Sequence, residues 1–98
     1  MKTLEEVFGA LRGQGRLEWI GQKKQAAALY FQRGRKRYKI YFDESNVEVS
    51  VLRRWLKEEY WDSLGARHYE NPEDTVDDVF DTIMWCLKEY SGREKKDV

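Results

Sequence analysis

Cysteine, proline and histidine each occur only once in this chain of 98 residues. The lone Cys86 excludes an internal disulfide and any cysteine-based zinc site. No apolar run approaches the roughly 20 residues of a membrane span. The N-terminus lacks the basic-then-apolar segment of a secretory signal. A reduced, cytoplasmic compartment is therefore the expectation, with no membrane partner. Gly9, Gly13, Gly15 and Gly21 match no phosphate loop, dinucleotide fingerprint or nucleophile elbow. His68 sits in a loop beside Tyr69, with no signalled nucleophile or orienting partner, and reads as a surface or turn residue. No catalytic residue, metal or cofactor is expected, and the chain reads as a binding protein rather than an enzyme.

Net charge is also missing, but only in the sum. Eighteen Lys/Arg balance eighteen Asp/Glu, yet residues 1–42 carry ten basic against three acidic residues and residues 43–98 carry eight against fifteen. A balance of +7 is followed by one of −7, and two opposite fields of this kind steer which partners approach. Aromatics are plentiful, with four Trp, six Tyr and four Phe to fill a small core. A chain of this length makes one domain.

The apolar spacing predicts an α+β domain over residues 1–92 with a frayed charged tail at 93–98. Thr3 and Glu6 form a capping box, followed by Leu4, Val7, Phe8 and Leu11 on one helical face. Strands are predicted over 16–20, 26–32 and 35–42, with a turn around Gly34. Either a two- or a four-residue turn puts Ala27, Leu29, Phe31, Tyr38, Ile40 and Phe42 on one face. Ala28, Tyr30, Arg35, Arg37, Lys39 and Tyr41 then fall on the other. Val47, Val49 and Val51 alternate as a fourth strand would, against a competing helix capped by Ser45 or Asn46. Leu52, Trp55, Leu56, Tyr60 and Leu64 have helical spacing up to Gly65, with a loop over 65–71. Asn71-Pro72 signals the start of a last helix whose buried stripe is Val76, Val79, Phe80, Ile83, Leu87 and Tyr90. The expectation is an N-terminal helix, a three- or four-stranded antiparallel meander, and two C-terminal helices packed on one sheet face.

Two candidate surfaces follow. The basic one combines Tyr30, Arg37, Lys39 and Tyr41 on the open sheet face with Arg33, Arg35 and Lys36 at the hairpin tip. Cations for phosphates among aromatics for bases suit a nucleic acid, although Lys and Arg on exposed strands also simply discourage aggregation. The acidic one runs along the last helix through Glu70, Glu73, Asp74, Asp78 and Asp81 to Trp85. Acidic residues in a first turn are ordinary helix chemistry, but that accounts less well for Asp81 and Trp85. Glu73, Asp74, Asp77 and Asp78 lack the glycine-containing loop of a calcium site. Cys86 beside the stripe reads as a small packed hydrophobe.

The element order, with Tyr69-Glu70-x-x-Glu73-Asp74 leading to Asp78 and Thr82-Ile83, resembles the small type II-A anti-CRISPR inhibitors of Cas9. That resemblance implies a short N-terminal helix, a three-stranded sheet, two closing helices and an acidic surface that imitates DNA. The hairpin tip Arg33-Gly34-Arg35-Lys36-Arg37 departs from it by having the opposite sign. Together these readings predict a phage or mobile-element inhibitor of a protein partner, for which the resemblance suggests a nucleic-acid-binding effector such as Cas9. The alternative is a nucleic-acid-binding module using the basic aromatic face. Head-to-tail self-association of the two charged halves is a third possibility.

Overall fold

The computed structural model describes residues 3–70 and 75–96. A short helix, five strands and a long helix follow one another: α1 (Leu4–Ala10), β1 (Arg16–Ile20), β2 (Ala26–Arg33), β3 (Lys36–Asp43), β4 (Asn46–Trp55), β5 (Glu58–His68) and α2 (Thr75–Lys96). The strands form one antiparallel sheet in the order β1-β2-β3-β4-β5, so every strand pairs with its sequence neighbours.

The predicted N-terminal cap is present. The Thr3 hydroxyl oxygen accepts the Glu6 backbone N–H at 3.2 Å and lies 3.2 Å from the Glu6 carboxylate. At seven residues α1 is too short to be stable alone and depends on burying Leu4, Val7 and Leu11. Phe8 stacks on Trp19 of β1, with centroids 4.3 Å apart and planes within 6°. Gly15, between the two elements, runs against β2: a Cβ there would overlap the Tyr30 carbonyl oxygen.

The β2–β3 hairpin closes through Gly34-Arg35, since Arg33 lies opposite Lys36. Gly34 has φ +62° at the first central position, the backbone a type II′ turn needs. The register puts Ala27, Leu29, Phe31, Tyr38, Ile40 and Phe42 on one buried face, as their spacing predicts. Val47, Val49 and Val51 of β4 lie opposite Phe42, Ile40 and Tyr38 and complete that face. Alternation wins over the competing helix here because three β-branched side chains reach the core only from a strand.

The strand does not stop at Val51, and this corrects the predicted second helix. Leu52 pairs with Trp61, Arg53 with Tyr60, Arg54 with Glu59 and Trp55 with Glu58, around a turn at Leu56-Lys57. Residues 58–68 are therefore a fifth strand, and Gly65 lies inside it rather than ending a helix. A helix over 52–64 would need an apolar surface for its stripe, but α1 and α2 already cover the buried sheet face. Pairing also places Arg54 opposite Glu59 and lets Arg53 make an ion pair with Asp62. The fold is α+β with five strands and one closing helix, against the three strands and two closing helices of the resemblance.

Helix α2 lies over β2, β3 and β4 and touches α1. Val79, Ile83, Cys86 and Leu87 are buried in the core, with Val76, Phe80 and Tyr90 packed beside them. The backbone stays helical to Lys96, past Gly92. The predicted cap at Asn71-Pro72 lies outside the described residues. No described helix is long and apolar enough to cross a membrane.

Candidate functional site

Because α2 sits over the middle of the sheet, β5 extends beside it and the two make a groove of about 730 Å³. One wall is the outer flank of α2, with Asp78, Asp81, Thr82 and Trp85. The other is the helix-side surface of β5, with Leu64, Gly65 and Arg67, and the floor is Val47, Val49 and Cys86. Three of the residues predicted for an acidic surface thus share one wall. The three- and four-residue steps from Asp78 to Asp81 and Trp85 align them on the side of α2 away from the core. Trp85 remains 61% exposed, although a tryptophan on a core-packed helix is ordinarily largely buried.

The opposite wall comes from an irregularity. Val49 lies opposite Gly65, but Ser50 lies opposite Ser63, so Leu64 is an extra residue in β5. Such a bulge re-aims side chains, and Leu64 lines the groove across from Trp85. Gly65 has nothing within 4 Å of where a Cβ would stand, which leaves the groove open at that point. Tyr69 closes one end, its hydroxyl in contact with that of Thr82. The Arg67 guanidinium lies 6.0 Å from the Tyr69 ring centroid, and its hydrogen bond with Tyr69 raises its pKa further. The groove therefore offers two exposed apolar groups, two carboxylates on one side and one guanidinium on the other.

Glu70 lies apart from these, in a shallow depression with Glu44, Ser45, His68 and Thr75. Glu73 and Asp74 fall outside the described residues. Burial pushes the Cys86 thiol up to about 11, so it is neutral at physiological pH. The His68 Nδ1 lies 2.7 Å from the Asn46 side-chain oxygen, linking β5 to β4. No group of three or more His, Cys, Asp or Glu residues able to hold a metal ion occurs among the described residues.

The basic candidates divide. Tyr30 and Lys39 lie directly opposite each other, and with Arg37 and Tyr41 they occupy the face away from α2. Arg33 and Lys36 share a register position in phase with Phe31 and Tyr38 and belong to the other face. The Arg33 guanidinium lies over the Phe31 ring at 5.0 Å. Arg35 is in the turn. The structure adds Trp61 of β5, whose ring lies 5.8 Å from Tyr30 and 5.0 Å from the Lys39 ammonium. Arg16, Tyr30, Gln32, Arg37, Leu52 and Trp61 then line a depression. Its two rings, Arg16 and the neighbouring Lys39 are already engaged with one another. Arg16 lies 4.2 Å over Tyr30 and 2.8 Å from the Glu18 carboxylate, which also accepts the Tyr30 hydroxyl. Burial, then the Glu18 charge, raises the Tyr30 pKa.

Trp61, Leu64 and Arg67 escape sequence reasoning because it places them on a helix or in a loop. The usable signal is charge: Arg54 and Glu59 lie opposite each other about a centre at 56/57, as cross-strand partners do, and Arg53 reaches Asp62. Comparison with protein-family models, curated proteins and solved structures finds no match to this chain.

Proposed function

We propose that the chain is a non-catalytic protein-binding domain that seats a cationic segment of a partner in the groove between α2 and β5. The observation that carries this is Trp85, exposed on the groove wall in line with Asp78 and Asp81. An aromatic anchor desolvated by the partner supplies much of the affinity of a small interface, and flanking charges set its orientation. Two carboxylates beside the anchor favour lysine or arginine on the incoming segment. Nucleic-acid-binding proteins display such segments, which agrees with the effector that the sequence resemblance implies. The neutral, buried Cys86 and the Asn46-bound His68 are poorly placed for nucleophilic or acid–base chemistry, in keeping with a binder.

Affinity capture with wild type, Trp85→Ala and the Asp78→Lys/Asp81→Lys double variant tests this reading. Partners recovered by wild type are expected to be lost from both variants, and a basic peptide library is expected to bind where its acidic counterpart does not. Equal recovery by all three proteins defeats it.

A second reading rests on the Tyr30–Trp61 pair in the open-face depression, flanked by Arg16, Arg37 and Lys39. Stacking of unpaired bases there predicts binding to single-stranded nucleic acid that weakens with salt and in Trp61→Ala. No shift at low salt removes it.

A further inference from the structure

The two edges of the sheet are defended very differently. β1 has five residues, and its Trp19 is held under Phe8 of α1. β5 has eleven residues, about 37 Å at the rise of an antiparallel strand. Among the described residues no strand pairs with its outer edge. It contains no proline, and Tyr60, Trp61 and Leu64 in its middle are exposed. The Leu64 bulge interrupts this edge once, and the stretches on either side of it, with their exposed apolar residues, remain a template for another strand.

Charge selects which strand. Along β5 the acidic residues come first, as Glu58, Glu59 and Asp62, and the one cation, Arg67, comes near the end. A second copy of β5 laid parallel would face acid with acid and base with base. Laid antiparallel about a two-fold axis, it faces the acidic end of each copy with the basic end of the other, twice over by symmetry. Like charges opposed across strands are unfavourable and unlike charges favourable. We infer that the chain forms an isologous dimer through antiparallel pairing of its β5 edges, joining two five-stranded sheets into one. The pairing satisfies edge N–H and C=O groups, with Tyr60 and Leu64 adding apolar contact on the helix side of the joined sheets and Trp61 on the open side. It differs from a head-to-tail array of the charged halves because a two-fold contact closes on itself. It shares Leu64 and Arg67 with the β5 wall of the groove but uses nothing of the α2 wall.

Sedimentation of the full chain over the micromolar to sub-millimolar range tests this. Wild type is expected to shift from monomer to dimer and no further. Glu58 and Arg67 both lie on the helix side of β5, opposite Trp55 and Val47, so Glu58→Lys and Arg67→Glu each create two like-charge contacts, and each is expected to weaken the dimer about tenfold or more. Mixing the two variants restores unlike charges at both ends, so a heterodimer is expected where neither dimerises alone. The Asp78→Lys/Asp81→Lys variant, which alters only the groove's acidic wall, is expected to dimerise like wild type. A wild type that stays monomeric, a mixture that stays monomeric, or a dimer that dissociates with the Asp78/Asp81 change overturns the inference. None of these results depends on whether the groove binds a partner.

Discussion

The two long hairpins of this protein are built to the same plan and from opposite materials. Each closes through two residues with a positive φ at the first. In β2–β3 that residue is Gly34 at +62°, and in β4–β5 it is Leu56 at +58°. Glycine adopts that backbone freely, whereas an L-residue with a Cβ is strained by about 1–2 kcal/mol. The first hairpin presses one whole face into the core. The second projects Trp55 and Leu56, 70% and 81% exposed, from its tip. Folding alone explains the first hairpin. The second keeps a strained turn and a run of exposed apolar side chains that folding does not need, which is the pattern of a segment retained for contact with something else.

Core truncation gives the widest separation between the two. Ile40→Ala in β3 is expected to cost about 3–4 kcal/mol in urea unfolding, while Tyr60→Ala in β5 stays within about 0.5 kcal/mol. Comparable losses would end the contrast. The connection between the hairpins comes next. The Asp43 carboxylate accepts the Ser45 and Asn46 backbone N–H groups at 2.9 and 2.8 Å, and also the Asn46 side-chain amide and the Tyr41 hydroxyl. Asp43→Ala is expected to cost about 1 kcal/mol, the carboxylate being partly exposed and so screened.

The same residue gives a pH dependence of known sign. Burial raises the Asp43 pKa, but the hydrogen bonds outweigh it and hold the carboxyl below the ordinary 3.8. The unfolded chain therefore takes up this proton first as pH falls. The contribution of Asp43 is fully present above about pH 4 and is lost as pH drops through the lower folded value. A wild-type stability curve that falls no more steeply below pH 4 than that of Asp43→Ala would contradict this. The turns themselves sharpen the comparison at smaller scale. Gly34→Ala is expected to lower stability by about 1 kcal/mol, and Leu56→Asn to raise it by about 0.5 kcal/mol, read from thermal melts. Trp85→Ala is expected to leave the melting temperature within error while removing partner capture.

These contrasts also show what the sequence could reveal. The cap at Thr3, the faces of β2 and β3, the valines of β4 and the stripe of α2 each follow one periodicity that leads to the core. The α2 wall of the groove, from Asp78 to Trp85, is legible for the same reason. The β5 wall is not. Leu52, Trp55, Leu56, Tyr60 and Leu64 fall at helical spacing by arrangement along the chain, yet most of them are exposed, so no burial enforces a period. Leu56-Lys57 carries none of the Gly, Asn or Asp that mark a tight turn. Sequence patterns record burial and turn chemistry, and this hairpin departs from both.

The arrangement of the sheet under α2 also has a consequence for how the chain is made. Each strand pairs with its predecessor, so the meander can assemble as it leaves the ribosome, by local contacts that form quickly. The apolar surface it builds, from Ala27 through Val51, is roofed mainly by the last described element. At roughly 5–20 residues per second, the nascent chain spends seconds with a finished sheet and no roof. The arrival of α2, rather than strand pairing, ends that vulnerable interval.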